Sequence, residues 1–462
     1  MSVHLPTAEM VELTKKTKII DDLLGGTATM RKAAQTYLFQ MEMEEHDSYR
    51  KRLERSTLYP ALSETLSQMT GRVFFNPIDV ADVTETVQAL FDDVDLVGNN
   101  LDVFASRWFY SALAYGCSFA LIDFTRVEAV KSRAEEKALN ARPYWVHIKP
   151  HQVLGMKTAR VNGKQAITQF RYVVNEQVED GEFGVKTVKH VYVYEIGKVR
   201  KFSEAEGEFR FESELQLTAQ NRPLDFVPVV PFITKRNELT HAIEPPLMEL
   251  AYLNIKHWQS QSDQDNITNI ARVPLLAIYS NDEVKQLAIG GSAVHLPTGS
   301  SMQFVEHSGQ AIASGVESLK DLEEQMKTAG AKLLTKTALA MTDSQARDEA
   351  GKEISQLRLL ANRFEDAIDL ALEYTGHWLG IAKEQVGNVQ ISGNIENDLD
   401  PAASMASVIQ LRNAGVISNQ STFDEAKRRG LLADGLEWDT EQERLQSEGM
   451  HFDLEETSET NT

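Results

Sequence analysis

The chain has 462 residues and a mass of 51.8 kDa, which allows two to four domains of ordinary size. Its 47 Lys and Arg against 68 Asp and Glu give a formal net charge of −21. This charge argues against general electrostatic binding of the whole chain to nucleic acid phosphates. With 42% hydrophobic and 25% charged residues, the composition is that of a globular protein and excludes collagen-like and low-complexity classes.

The amino-terminal quarter of the chain is predicted to be mainly helical, over residues 7–118. Charges of both signs at 31–55 are typical of a solvated helix, whereas the apolar residues of 59–73 fall on one face and predict a helix that packs inward. The uncharged run 108–122 has 15 residues, too few to cross a bilayer, and predicts a buried helix that leads into a buried strand.

The single cysteine, Cys117, lies in that uncharged run. One cysteine excludes an internal disulfide and any zinc site built on the cysteines of one chain, which fits a reducing compartment. We interpret it as a small buried apolar residue. The amino terminus lacks the basic start and apolar run of a signal peptide, so export by that route is not expected.

From residue 144 to residue 234 the apolar period changes from near 3.6 to 2, which predicts a β-meander. Two pairs of residues supply the positive backbone dihedrals that tight hairpin turns need: Asn162-Gly163 and Asp180-Gly181. Pro228 and Pro231 then indicate an edge strand or the exit from the sheet.

A helix follows at 247–270, apolar at first and then polar from Gln259 to Asn266. Such a helix is not a simple core helix, so its second half is expected to face water, another subunit or a channel. A strand at 273–279 leads into a small β region that ends near Gly315, and a second helix is predicted at 316–334. The insertion is therefore bracketed by two helices.

The segment 335–351 loses clear amphipathicity, and the longest helix of the chain is predicted after it, at 352–382. A break containing glycine and asparagine, 387–400, precedes a helical hairpin at 401–430. The last segment, 437–462, carries nine acidic residues and one arginine, a composition that favours disorder or a solvated tail.

Local motifs for catalysis or metal binding are absent from the sequence. It contains no phosphate-binding loop, no HExxH and no GxSxG, and its eleven histidines are scattered. We interpret the acidic run 91–96 as a solvated face, and His147 and His151 as structural residues. A nuclease or hydrolase whose carboxylates come together only in the fold stays open as an alternative, because such a site leaves no local signature.

The order of elements from residue 245 to residue 382 resembles that of the portal proteins of tailed bacteriophages. Leu253-Asn254 and the polar run 260–263 stand where that family has recurring Tyr-Asn and Ser-Asp positions in its first stem helix. The segments VIQLRNAGVIS (408–418) and FDEAKRRGLL (423–432) are similar to a pattern common in portal crowns. One departure is Arg347-Asp-Glu-Ala-Gly351, where the family often has Ser-Gly-x-Ala.

The resemblance implies a mixed α/β portal fold with an α/β wing, a helical stem, a small α/β clip and a helical crown. The implied divisions are a wing at 1–246 with its β-meander at 144–234, stem helix 1 at 247–272, a clip at 273–315, stem helix 2 at 316–334, a tunnel loop at 335–351, a long helix and wing return at 352–400, a crown at 401–436 and an acidic tail at 437–462.

The family's function is structural, so the resemblance implies no catalysis, no cofactor and no metal. It implies a ring, expected to be a dodecamer, at one capsid vertex of a virion made in the host cytoplasm, with no membrane involved. Double-stranded DNA would pass through the ring without sequence specificity during packaging and ejection. The implied protein partners are terminase, head-completion or adaptor and tail proteins, and the major capsid and scaffolding proteins. Another head or neck protein, such as an adaptor or scaffold, is the alternative.

Two sets of residues are candidates for contacts in such a ring. The DNA-channel candidates are Lys320, Lys327, Lys332, Lys336, Thr337, Thr342, Ser344 and Arg347. For the four lysines the alternative is pairing with neighbouring acids: Glu317, Asp321, Glu323 and Glu324. Asp282 and Glu283, in the implied clip, are candidates for contact with terminase or an adaptor, and a solvated turn is the alternative.

Overall fold

The structure is a computed structural model. It describes residues 2–125, 141–161, 163–272, 275–279, 301–305, 310–334, 336–337, 354–393, 401–428, 431–433 and 435–446. The chain is a mixture of helices and antiparallel sheets, as the sequence predicts.

The structure has α-helices in both the amino-terminal and the carboxyl-terminal parts of the chain. In chain order they are α1 (Ala8–Leu24), α2 (Gly26–Ala33), α3 (His46–Arg55), α4 (Ala61–Val73), α5 (Glu85–Gln88), α6 (Leu101–Tyr115), α7 (Met248–Ala271), α8 (Gln310–Ala331), α9 (Gln356–Leu379), α10 (Pro401–Asn413) and α11 (Asn419–Arg428). Residues 438–446 are also helical. Short 3-10 turns lie at Ala34–Thr36, Pro150–Gln152, Lys332–Leu334 and Lys383–Gln385. None of the helices in the described part of the chain combines the length and the apolarity that a bilayer span needs.

The strands pair antiparallel throughout the described segments. In chain order they are β1 (Asp79–Val83), β2 (Cys117–Phe124), β3 (Pro143–Ile148), β4 (Val153–Val161), β5 (Lys164–Asp180), β6 (Gly184–Glu195), β7 (Lys198–Ala205), β8 (Glu208–Gln216), β9 (Thr218–Ala219), β10 (Arg222–Pro223), β11 (Val229–Ile233), β12 (Leu275–Tyr279), β13 (Ser301–Val305), β14 (Lys336–Thr337), β15 (Ile354–Ser355) and β16 (Val386–Gln390). They form a five-stranded meander, β4-β5-β6-β7-β8, a three-stranded sheet, β11-β2-β3, and four two-stranded pairs: β1-β16, β9-β10, β12-β13 and β14-β15.

The predicted passage from a buried helix into a buried strand is confirmed. Asn100 caps α6 by accepting a hydrogen bond from the Val103 backbone N–H, at 2.9 Å. Gly116 ends the helix with φ +86°, in the left-handed region that favours glycine, and β2 begins at the next residue. Cys117 is buried as predicted, and burial raises the pKa of its thiol to about 12.

The core lies where α6 and α9 pack on the three-stranded sheet. Phe364 of α9 is fully buried, with ring centroids at 5.0 Å from Trp108, 5.3 Å from Phe109 and 4.8 Å from Phe232. Such aromatic contacts stabilise the fold beyond the contribution of the apolar area that they bury. The long helix α9 is therefore a central element of the fold, in agreement with its predicted apolar stripe.

The predicted single meander at 144–234 is wrong at both ends. Only β4 to β8 form the meander, whereas β3 and β11 flank β2 in the separate sheet. An alternating pattern predicts strands but not their partners, which explains the error. β11 carries Pro231 and is an edge strand, as its prolines indicate.

Other predicted boundaries also need correction. The sequence predicts a helix at 79–83 and a break at 387–400, but 79–83 and 386–390 pair with each other as β1 and β16. The segment 31–55 is not one solvated helix, since α3 begins only at His46 and Arg52 within it is buried. Helix α8 begins six residues earlier than predicted, and α9 is shorter than 352–382 at both ends. In the acidic segment, for which the sequence predicts disorder or a solvated tail, residues 438–446 form a mostly exposed helix.

The two hairpin predictions fare differently. At the first, Val161 pairs with Lys164, so a two-residue turn joins β4 and β5, although Asn162 itself lies outside the described residues. At the second, Asp180 pairs with Gly184, which leaves three turn residues instead of two. Gly181 there has φ +75°, the conformation for which the glycine was expected.

Candidate functional site

The two helices that bracket the insertion lie side by side and run antiparallel. Gln264 of α7 donates to the Ile312 carbonyl at 3.0 Å, near the start of α8. Earlier along α7, the Nε2 atom of His257 lies 3.8 Å from a carboxylate oxygen of Glu323, further along α8. At 1.5 Å per residue, the 24-residue α7 is about 36 Å long. We call α7 and α8 the helix pair.

The hairpin β12-β13 lies within the insertion between the two helices. Leu275 pairs with Val305, and Tyr279 pairs with Ser301. The structure thus has a helix, a β-hairpin and a returning helix in the order that the sequence predicts. Asp282 and Glu283 lie outside the described residues.

The sequence predicts that the polar second half of α7 faces water, another subunit or a channel. In the structure, part of this half contacts the amino-terminal segment of the same chain instead. Gln259 donates to the Tyr37 carbonyl at 2.6 Å, and Arg52 of α3 lies 3.3 Å from a carboxylate oxygen of Asp263. Ser262 is buried. One face of this half is therefore covered by the amino-terminal segment, because Gln259 and Asp263 pair with polar groups there, whereas the buried hydroxyl of Ser262 has no hydrogen-bond partner among the described residues.

Arg52 is the centre of this contact, with only 2% of its side chain exposed. It makes an ion pair with Glu44 at 2.7 Å and donates to the Phe39 carbonyl at 2.7 Å. Hydrogen bonds from the guanidinium hold the pKa of Glu44 below its usual value, whereas burial raises the pKa of Asp263.

Asn254 joins the first half of α7 to the start of α4. Its carbonyl oxygen accepts from the Leu62 backbone N–H at 3.1 Å, and its amide donates to the Tyr59 carbonyl at 2.8 Å. The side chain is 1% exposed; its hydrogen bond with Leu62 is buried, and the one with Tyr59 is partly buried. The resemblance singled out this asparagine, but only the structure shows that it satisfies the first turn of another helix.

His257 is a buried residue of the helix pair that the sequence analysis missed. It is 2% exposed, and neither ring nitrogen has a hydrogen-bond partner among the described residues. Burial lowers the pKa of His257, while nearby Glu323 acts in the opposite direction. In sequence it is a histidine next to Trp258 on an apolar face, a position that carries no signal of its own.

The candidate lysines of α8 and its 3-10 extension are exposed but do not form one row. Lys320 and Lys327 are seven residues apart and share a face, whereas Lys332 is rotated from Lys327 by about 140°. Lys327 lines a groove between α4 and α8, and Lys332 lines another between α7 and α8. Across the part of the chain that the structure covers, none of these three lysines makes an ion pair. Pairing of these three lysines with Glu317, Asp321, Glu323 or Glu324 of the same chain is thus not seen there, and pairing with the same acids of a neighbouring subunit stays an alternative.

Most of the predicted loop lies outside the described residues. Of the segment 335–351, the structure describes the backbone of Lys336 and Thr337, which form β14 and pair with β15. Thr342, Ser344 and Arg347 are not described.

The structure offers one arrangement that bears on the hydrolase alternative. Ser118 Oγ lies 2.8 Å from Nε2 of His147, the spacing of a nucleophile and its base. However, Ser118 is 0% exposed, and the charged groups that influence His147 are Lys149, Arg107 and His151, all basic residues. Burial lowers the pKa of His147 to about 4. The pair therefore has no access for a substrate and serves to join β2 to β3.

The acidic run 91–96 is a loop held by its own carboxylates. Asp95 accepts from the backbone of Val97 and Asn99, and Asp93 accepts from Gly98 at 2.8 Å. Within the ranges that the structure describes, no group of three His, Cys, Asp or Glu side chains is placed to hold a metal ion.

Comparison with known proteins gives one family match. Residues 246–379 match the model of a domain of unknown function, DUF4055. The matched segment is less than a third of the chain and spans the helix pair and α9. No curated protein matches the chain.

Solved structures with some likeness come from gene transfer agent particles. A chain from the virion of a native particle has 12% identity and a TM-score of 0.42, with 87% of this chain and 98% of that chain covered. A chain from the neck of a native particle, computed with C12 symmetry, has 13% identity and a TM-score of 0.41, with 89% and 99% covered. Likenesses at this level are too weak to establish a shared fold.

Proposed function

We propose that this chain is the subunit of a portal, a closed ring at one capsid vertex through which double-stranded DNA enters and leaves a phage-like particle. The observation that carries the proposal is the helix pair with its inserted β-hairpin, followed by the long helix α9. Together with the order of segments that resembles the portal family, this arrangement supports a stem, a clip and a wing return. The divisions and partners implied by that resemblance are part of the proposal.

Exposed apolar side chains on the helix pair support an assembly in which this pair contacts other copies. Ile267 is 38% exposed, Ile270 is 62% exposed and Val316 is 41% exposed, all in the half of the pair next to the insertion, whereas Tyr252, 52% exposed, lies in the other half. Apolar residues grouped at one end of a surface element are typical of protein–protein contact. A ring repeats one heterologous interface, so each subunit must offer two different complementary faces.

The charge of the chain supports passage of DNA rather than its retention. Twelve subunits at −21 each carry −252, and such a field repels phosphates from most of the ring. The exposed Lys320 and Lys327 on one face of α8, or Lys332 on another, would then form local rings of positive charge. Which face lines the channel decides which lysines meet DNA.

Imaging of the purified full-length protein tests the proposal. We expect negative-stain images to show rings with a central hole and near-twelvefold symmetry, and mass photometry to show a matching single species. Monomers at every protein concentration and salt condition, or closed particles without a hole, would contradict it.

A charge-reversal comparison tests the channel face. If the face of Lys320 and Lys327 lines the channel, reversing both to Glu lowers the DNA retained per particle, and Lys332→Glu leaves it unchanged. The opposite pattern assigns the channel to the other face. Undiminished packaging and retention in both variants would refute a role for these lysines.

A further inference from the structure

Strand β5 pairs with different neighbours along its length, so the meander projects at both ends as two-stranded ribbons. At one end, residues up to 168 of β5 pair with β4 alone, because pairing with β6 begins at Gln169. At the other end, 175–180 pair with 184–189 alone, because β4 begins at Val153 and β7 pairs only from His190. We call these the β4-β5 ribbon, 158–168 together with Lys157 at its base, and the β5-β6 arm, 175–189.

The β4-β5 ribbon is basic. Lys157, Arg160 and Lys164 are exposed, and the sequence from 156 to 168 contains no acidic residue. None of the three takes part in an ion pair with any residue that the structure describes. In a chain with a net charge of −21, this is a local patch of three uncompensated positive charges.

The β5-β6 arm is acidic. Asp180 is paired with Lys186 at 3.7 Å, and Glu176 lies 3.1 Å from His190. Glu179 and Glu182 remain exposed at the tip, without an ion pair among the described residues. The tip therefore presents uncompensated negative charge.

The arm also carries an exposed apolar anchor. Phe183, in the turn, is 91% exposed, and Val185 beside it is 65% exposed. An isolated two-stranded ribbon is only marginally stable in water, and an exposed aromatic residue at its tip adds an apolar surface that favours contact with another chain.

We propose that the β5-β6 arm of one copy docks against the β4-β5 ribbon of the next copy and so forms part of the heterologous interface of the ring. This inference rests on the proposed function. Opposite charges at the two ends of one sheet match a head-to-tail contact, whereas acidic-to-acidic or basic-to-basic docking would place like charges together. Phe183 supplies the apolar centre of the contact, and the charges fix its direction.

A charge exchange tests the docking. The arm variant is Glu179→Lys with Glu182→Lys, and the ribbon variant is Lys157→Glu with Arg160→Glu and Lys164→Glu. Each is expected to weaken assembly by about tenfold or more in mass photometry, because like charges then meet across the interface. Combining both sets restores opposite charges and is expected to recover assembly to near the wild-type level.

Two further variants keep the test specific. Glu206→Lys with Glu208→Lys, on the β7-β8 turn of the same meander, changes the net charge as the arm variant does and is expected to leave assembly unchanged. Phe183→Ser is expected to weaken assembly without lowering the thermal stability of the subunit, because the side chain is already in water.

The outcomes separate this inference from the proposed function. If the wild type forms rings and the arm and ribbon variants assemble equally well, the docking is overturned and the portal proposal stands. Failure of the combined variant to recover would also overturn it, because opposite charges would then be present without restoring the contact. A wild-type protein that never forms rings would overturn both.

Discussion

Replacing Arg52 with methionine tests how the amino-terminal helices are fastened to α7. The change keeps most of the apolar stem of the side chain and removes its charge. It leaves the carboxylate of Glu44, the other member of the buried ion pair, without a partner. It also removes the donor to the Phe39 carbonyl. It also breaks the contact between α3 and Asp263.

The expected magnitude follows from the burial of the pair. Arg52 is 2% exposed and Glu44 is 8% exposed, and removal of one partner from a buried ion pair costs about 3–5 kcal/mol. The effect depends on pH. Because the pKa of Glu44 is lowered in the folded protein, its contribution to stability is present above its ordinary pKa and is lost as the pH falls through the lower folded value. The difference between wild type and Arg52→Met should therefore be largest near neutral pH and shrink under acid conditions.

Amide hydrogen exchange is the suitable assay, because it measures local opening without assuming that the whole chain unfolds in one step. A loss of about 3–5 kcal/mol lowers protection in α3 and in the polar half of α7 by roughly two to four powers of ten. Arg55→Met, an exposed neighbour on the same helix, is the matched control and should change little. A loss below about 1 kcal/mol, or one that stays the same under acid conditions, would refute the reasoning.

Two further predictions concern single residues. Asn254→Ala leaves the Leu62 N–H and the Tyr59 carbonyl unsatisfied, so we expect a loss of about 2–4 kcal/mol, measured as a lower midpoint of urea unfolding, and little or no loss would contradict the proposed link between α7 and α4. Gly116→Ala should be more destabilising than Gly98→Ala by about 1–3 kcal/mol, because both positions have a positive φ but only at Gly116 does a new Cβ meet backbone, 2.8 Å from the carbonyl carbon of Glu244. Equal losses in the two glycine variants would show that the close approach has no energetic effect.

The parts of the fold that could be predicted from sequence are those set by local chemistry. The uncharged run 108–122 has room for one helix and one strand, and Gly116 marks the only left-handed step between them. The apolar stripe of α9 follows directly from its buried positions, with Phe364 at the centre of the aromatic core. Pro231 could be assigned to an edge because proline cannot donate to a second neighbour.

The parts that could not be predicted depend on distant partners. The residues of 79–83 do not indicate that their partner strand, β16, lies about 300 residues further along the chain. A local sequence pattern therefore cannot predict the pairing of β1. The polar half of α7 gave the same difficulty for the candidate site. A run of Gln, Ser and Asp is typical of a solvent-exposed surface. Only the positions of Tyr37 and Arg52 in the structure show that part of this run is covered.

These contacts bear on what constitutes the functional unit. The segment 246–379 that matches DUF4055 begins at the helix pair, yet α7 is held from outside that segment by Tyr37, Arg52 and the Tyr59 carbonyl. The first 60 residues are therefore part of what positions α7. If the helix pair forms the stem of a ring, its tilt toward the channel depends on these buried polar contacts. Loosening them, as Arg52→Met does, should alter the regularity of rings even where the matched segment is untouched.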